Sequence, residues 1–174
     1  MTFSLYAATI PSCSQILAAL GGLLVKAEAF AAEQNIATGD IVRARLAEDM
    51  LPFGYQVKSV VGHSLGAIEG VRKGMFSPDR GAWPEDMAGL KALVAESLAA
   101  LALIDPAEVD SFVGRPMCFS MGDMRMDFTA EEFLLSFSQP NFYFHATTAY
   151  DILRWKGVPL GKRDFLGRPR IITR

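Results

Sequence analysis

Between residues 12 and 34 the apolar side chains Cys13, Ile16, Leu20, Leu23, Leu24, Ala27, Phe30 and Ala31 fall three and four residues apart, the spacing that lines one face of an α-helix. A helix with such a stripe has to bury it against other elements. Ser12 and Gln15 stand at capping-box spacing, which would start the helix there with at most a short helical turn before Pro11. A short helix is expected over residues 41–49, and a second long one opens at Pro52 and stops at Gly74. Residues 75–83 read as loop. Pro84, Glu85 and Asp86 then open a third helix whose core stripe is Met87, Leu90, Val94, Leu98 and Leu101, ended by Asp105 and Pro106.

The period changes over residues 115–128, where Gly122 and Asp123 separate two short runs of alternating character, and this predicts a β-hairpin. Directly after it, Thr129 and Glu132 have capping-box spacing while Phe128 and Phe133 occupy the two positions of a hydrophobic staple. If the box forms, Thr129→Ala costs about 1 kcal/mol. Pro140 predicts a kink or a restart at Asn141, because it lacks the backbone donor. Gly157, Val158 and Pro159 end the helix, with Val158 placed to contact Leu153 as in a Schellman cap. The fold expected from these segments is all-α, a four-helix bundle in one domain over residues 1–174, with a small hairpin before the last long helix.

Composition narrows the function classes. A chain of 174 residues with 51% apolar and 21% charged side chains can bury a sizeable core. Its net charge of −2 gives no general attraction to nucleic acid, so none is expected as a partner. No basic leader precedes an apolar run in the first thirty residues, and the apolar stretch 16–25 is about half of a membrane span, so a cytoplasmic protein away from membranes is expected. Cys13 and Cys118 are too few for a disulfide framework and read as buried thiols. Charge is nevertheless segregated. From Arg154 onward Arg154, Lys156, Lys162, Arg163, Arg168, Arg170 and Arg174 face Asp164 alone, leaving this tail at +6 and the remainder at −8. Such a tail either lies across an acidic surface of its own protein or of a subunit partner, or takes an anionic ligand.

Projected at 100° per residue, the second long helix places Val57, Val61, Leu65 and Ile68 on one side and Ser59, His63, Gly66 and Gly70 on another. Two faces of this helix therefore look buried, and one bundle core need not consume both, so a homodimer is expected. Gly62, Gly66 and Gly70 each cost about 1 kcal/mol relative to alanine inside a helix. They leave room either for a close neighbour or for a ligand beside His63. On the last helix His145 shares the inward sector of Asn141, Phe142, Ala149, Ile152 and Leu153. The candidate pocket is His63, Gly66, Asn141, His145 and Ala149. Two inward histidines on different helices are half of a site for a divalent metal such as zinc, nickel or iron. Otherwise each is a core histidine with its own hydrogen bond. No GxSxG, P-loop, HExxH or dinucleotide fingerprint is present.

The stretches NFYFHATTAYDILRWKGVPLGKRDFLG (residues 141–167), ARLAEDMLPFGYQV (residues 44–57) and SLYAATIP (residues 4–11) resemble the bacterial domain-of-unknown-function family numbered nineteen ninety-three over nearly the whole chain. That family is grouped with the DinB/YfiT-like metalloenzyme superfamily. The resemblance implies a four-helix bundle, often dimeric, with an interhelical pocket and a metal held by one histidine on the second helix and two, four residues apart, on the last. His63 and His145 match two of these three, while Ala149 and Asn141 stand where the third would be. Alanine cannot ligate, and Glu69, Asp151 and Cys118 do not fit the pattern. Two readings follow. One is a small-molecule binding or regulatory protein with a degenerate metal site; the other is a metal-dependent transferase or hydrolase using His63, His145 and an irregular third ligand.

Overall fold

The computed structural model describes residues 4–172, so Arg174 of the basic tail lies outside the described residues. The elements in chain order are α1 (Leu5–Glu33), α2 (Thr38–Val42), α3 (Phe53–Val61), a π-helical segment (Gly62–Gly66), α4 (Ala67–Lys73), β1 (Met75–Phe76), α5 (Met87–Ala102), α6 (Pro106–Asp110), β2 (Pro116–Met121), β3 (Met124–Thr129), α7 (Ala130–Glu132), a second π-helical segment (Phe133–Ser138), α8 (Gln139–Trp155) and α9 (Lys162–Leu166). The molecule is mainly helical, with a small sheet in the order β1-β2-β3.

Two long rods form around the π segments, because the residues flanking each one keep right-handed helical backbone: α3 runs through to α4, and α7 through to α8. α1 packs on α5, α3 on α8, and α3 also on α5, closing a core of fully buried Leu17, Leu24, Val57, Leu90, Phe133, Phe142 and Ile152. α1 is long and apolar enough to cross a bilayer by those two measures. Here its stripe, Leu17, Leu20, Leu24, Ala27 and Ala31 among it, is buried in that core.

Several local expectations change. α1 begins at Leu5, with the Ser4 hydroxyl accepting from the amide of Ala7, and it runs straight through Pro11. Ser12 and Gln15 do not cap it, because their side chains are bonded to the C-terminal segment: Gln15 donates to the carbonyl of Leu166, and Arg170 donates to both. The short helix is Thr38–Val42 rather than residues 41–49, since only Ile41 and Val42 reach the core and a helix this short needs packing to persist. Met75 and Phe76, read as loop, instead pair in parallel with Cys118 and Phe119. β2 and β3 pair antiparallel around Gly122 and Asp123 as expected.

The staple is present, with the Phe128 and Phe133 rings 5.9 Å apart. The capping box is not. Thr129 ends β3 opposite Pro116 and its side chain makes no cap bond; the amide of Ala130 donates to the carbonyl of Arg115 (2.8 Å) and Glu131 accepts from the amide of Gly114 (2.8 Å). Contacts with the hairpin, rather than a Thr129 cap, therefore hold the start of this helix. Thr129→Ala is accordingly expected to move the urea midpoint by no more than the few tenths of a kcal/mol typical of surface changes. A loss of 1 kcal/mol or more, of the size of a true cap, would show that the hydroxyl carries the helix start.

The helix does not restart at Asn141: α8 already begins at Gln139. Pro140 follows the π segment at the start of α8, and the side chain of Asn141 donates to the carbonyl of Phe137 (2.8 Å). At the far end the amides of Val158 and Gly157 donate to the carbonyls of Leu153 and Arg154, with Gly157 at φ 90°, which is the Schellman arrangement.

Two glycines of the α3–α4 rod lie against a strand. A β-carbon on Gly70 would stand 2.9 Å from Cβ of Phe76, and one on Gly66 would stand 3.8 Å from its ring. Gly70 therefore makes room for Phe76, while Gly66 is only in ordinary contact with it. A β-carbon on Gly62 would meet nothing within 4 Å.

Candidate functional site

His63 lies within the first π-helical segment, and Ser138 ends the second. A π turn inserts an extra residue into the helical spiral, re-aims the side chains that follow, and is concentrated at functional sites. The two segments are tied to each other. The Ser138 hydroxyl donates to the carbonyl oxygen of His63 (3.0 Å), so its oxygen is left to accept from His63 Nδ1–H (3.3 Å). One layer away Gln56 donates through Nε2 to the carbonyl of Leu51 (2.8 Å), which turns its Oε1 toward Nδ1 of His145 (2.7 Å). An amide oxygen only accepts, so His145 carries its proton on Nδ1.

Both imidazoles thus have Nδ1–H committed and Nε2 bare. Every fully buried polar side-chain atom among the described residues has a partner, so neither unpartnered Nε2 is sealed in the core. The rings lie 5.7 Å apart between centroids with planes inclined by 15°. Burial pushes the pKa of His63 down to about 4, helped by the neighbouring charge His145 would carry, and burial alone pushes His145 to about 4. At neutral pH the site presents two uncharged imidazoles.

Aromatic rings frame the pair. Phe76 and Phe137 approach His63 at 5.4 and 6.1 Å, while Tyr55 and Phe144 stand edge-on to His145 at 6.0 and 5.3 Å. A cleft of about 50 Å³ opens beside His63 between Tyr55, Lys58, Ser59, Gly62, Phe76 and Asp79. It shares Gly62, Phe76 and Asp79 with an open groove of about 410 Å³ that passes Gly66, Glu69 and Lys73. The largely buried Lys58 ammonium straps the mouth of the cleft, bonded to the Asp79 carboxylate (2.9 Å) and the Gly81 carbonyl (2.7 Å). That contact, with the amide of Gly81, holds the Asp79 carboxyl below the usual carboxylate range. Trp83 anchors the same loop by lying where a β-carbon on Gly54 would be, 2.6 Å from the ring, so Gly54 has to be glycine.

The structure brings His63 and His145 together. Gly66 lines the adjoining groove, Asn141 is turned toward the carbonyl of Phe137, and Ala149 is wholly buried in the core. Of the candidate third ligands, Glu69 and Asp151 are exposed, and Cys118 is buried in β2 with its thiol donating to the carbonyl of Phe119. No three His, Cys, Asp or Glu side chains gather among the described residues.

These facts test the metal that the superfamily implies. An ion bound by two Nε2 atoms at ~2.0–2.1 Å sets the ring centroids roughly 5–6.5 Å apart, depending on the bond angle, and 5.7 Å falls inside that span. Each ring also donates its other nitrogen to a fixed acceptor, as metal-bound histidines do. The donor set is nevertheless one short of the three protein ligands of a catalytic zinc centre. The residues present do not make a complete resident metal site.

Gln56 and Ser138 were missed by sequence reasoning, although a signal existed. Each lies seven residues before the histidine of its own rod, and each bonds the histidine of the other rod, as two antiparallel helices in constant register require. A polar side chain two turns before each inward histidine was legible, but its partner was not.

A comparison with curated proteins returns no match. The crystal structure of a DinB family member protein from Shewanella denitrificans superimposes with a TM-score of 0.81 at 27% sequence identity, covering 98% of this chain and 96% of that one. The family model described as Domain of unknown function (DUF1993) matches residues 5–166, and the chain belongs to that family.

Proposed function

We propose that this chain, a DinB/YfiT-like four-helix bundle carrying a hairpin, is a small-molecule binding or regulatory protein whose site is the His63 and His145 pair. The observation that carries this reading is the pair of bare, uncharged Nε2 atoms, each fixed from behind by a committed Nδ1–H, with His63 lining an aromatic cleft and the ring of His145 5.7 Å from that of His63. Such nitrogens accept hydrogen bonds from a ligand's N–H or O–H groups, and Tyr55 and Phe76 offer edges and faces to a flat apolar body. The second reading, a metal-dependent transferase or hydrolase, draws on the same nitrogens and their spacing. It needs a donor from outside the described side chains, and no catalytic step is derived through it.

Metal analysis of the purified protein, followed by a fragment screen of flat donor-bearing heterocycles by ligand-observed NMR, separates the two. The binding reading expects no stoichiometric zinc, nickel or iron after dialysis. It also expects hits whose affinity falls at least tenfold in both His63→Gln and His145→Gln while the fold is kept. Stoichiometric metal lost from either variant would favour the second reading. Hits that bind both variants unchanged would remove the pair from any function.

A further inference from the structure

Within this chain the basic tail does not lie on an acidic surface. It folds back on α1 over Ser12, Gln15, Ala18, Ala19, Gly22 and Lys26, a face without a carboxylate, and its own single acid, Asp164, pairs with Lys26 at 2.6 Å. The ion pair thus runs opposite to what the segregation of charge suggests, and it engages the tail's own acid. Arg163, Arg168 and Arg170 form no ion pair with any carboxylate among the described residues. Between the tail and α1 lies a cleft of about 380 Å³ lined by Gln15, Ala18, Ala19, Gly22, Lys26, Arg163, Asp164, Gly167 and Arg168. Arg170 stands at its edge, bonded to Gln15 and Ser12.

The cleft has a defined shape. Gly167 turns the chain at φ 63°, ψ −129°, a backbone that side-chain-bearing residues rarely adopt, and a β-carbon there would press to 3.1 Å against Cβ of Ala19. Gln15 clamps both sides of this turn, donating to the carbonyl of Leu166 and accepting from Arg170. On the opposite wall a β-carbon on Gly22 would meet nothing within 4 Å. The floor is therefore small and apolar, and the rim is cationic.

We propose that this cleft binds a small molecule bearing a phosphate group, with Arg163 and Arg168 on the phosphate and the organic body on Ala18, Ala19 and Gly22. Guanidinium forks match phosphate oxygens two at a time. With Asp164 neutralised by Lys26, two arginines at the cleft and a third beside it balance a phosphate dianion better than a single carboxylate. This site is separate from the histidine pair, which lies between α3 and α8, and it stands whether or not that pair has a function.

Calorimetric titration of the full chain with inorganic pyrophosphate tests the proposal. Saturable binding is expected, weakening as salt is raised because the charges are at the surface. Arg163→Gln with Arg168→Gln should weaken it at least tenfold without moving the thermal midpoint, both side chains being exposed. Lys26→Gln should also weaken it, by releasing Asp164 into the cleft, and Gly167→Ala should do so by displacing the tail. Absence of binding, or equal affinity in the double variant, would overturn the proposal. Binding to phosphatidylserine vesicles or to a single-stranded oligonucleotide in place of pyrophosphate would overturn it as well, in favour of a surface that reads extended polyanions.

Discussion

Replacing Phe133 with alanine is expected to destabilise the protein by about 3–5 kcal/mol, the range for deleting a fully buried phenylalanine. The ring is wholly buried where the sheet meets the long rods, and it touches Phe76 of β1, Phe128 of β3 and Phe137 of its own π segment at 5.5, 5.9 and 5.6 Å. Among the described residues, no other side chain joins both edge strands to a helix through aromatic contacts alone. Its loss leaves a cavity that the surrounding rings, fixed on three different elements, cannot close together. Phe133→Leu, which keeps most of the volume, should cost much less. Urea unfolding of both variants at neutral pH gives the comparison, and a loss below 1 kcal/mol for the alanine would mean that the sheet is docked by something other than this cluster. A second effect follows from position. Phe76 packs at once on Phe133, over Gly70 and beside His63, so a loosened Phe76 would expose the histidine cleft without any change in the histidines themselves.

How far the sequence foretold this molecule depended on how local each signal was. The stripes of α1 and α5, the stop at Gly74 and the Schellman end at Gly157 are set within a few residues, and the periodic spacing reports them directly. Thr129 and Ser12 show where local reading misleads. Both have the spacing of a cap, but Thr129 is held by strand pairing and Ser12 is engaged by Arg170, a residue distant in sequence. Tertiary partners had claimed side chains that short-range rules assigned to helix ends. The π segments mark a different limit. A constant 100° projection puts Leu65 in the buried stripe, whereas within and after the first π segment Ser64 and Ala67 are buried and Leu65 only half so. One extra residue in a turn shifts the phase of everything after it. The inward placement of both histidines survived that shift, since a pair of wide faces tolerates a drift of a fraction of a turn. The hydrogen bonds that fix their protons, through Gln56 and Ser138, depended on the antiparallel register of two rods, which no single stretch of sequence contains.

The histidine pair should make the protein sensitive to mild acid, well before its carboxylates titrate. In an unfolded chain each imidazole binds its proton near pH 6.5, whereas in the folded protein burial delays this to about pH 4. Between those two values the unfolded state holds more protons than the native one, so stability falls as pH is lowered and rises as it is raised. Above pH 6.5 both states are neutral at these sites and nothing is lost. For two such groups the slope approaches ~2.7 kcal/mol per pH unit at its steepest, between about pH 6 and 5. The rings are half-buried rather than sealed, and screening by solvent reduces the total to roughly 2–3 kcal/mol per histidine. The acids that ion pairs or backbone amides hold low, Asp79, Glu108, Asp127, Glu131 and Asp164, lose their contribution only as pH falls through their own depressed values. The interval from pH 7 to 5 therefore isolates the imidazoles. Urea midpoints measured across it should drop steeply for the native chain, less so for His63→Gln or His145→Gln, and hardly at all for the double variant. If the native chain gave a flat profile there, the two rings would be titrating as solvated groups near pH 6.5, and burial would not be what keeps the acceptor pair uncharged as the pH falls below that value.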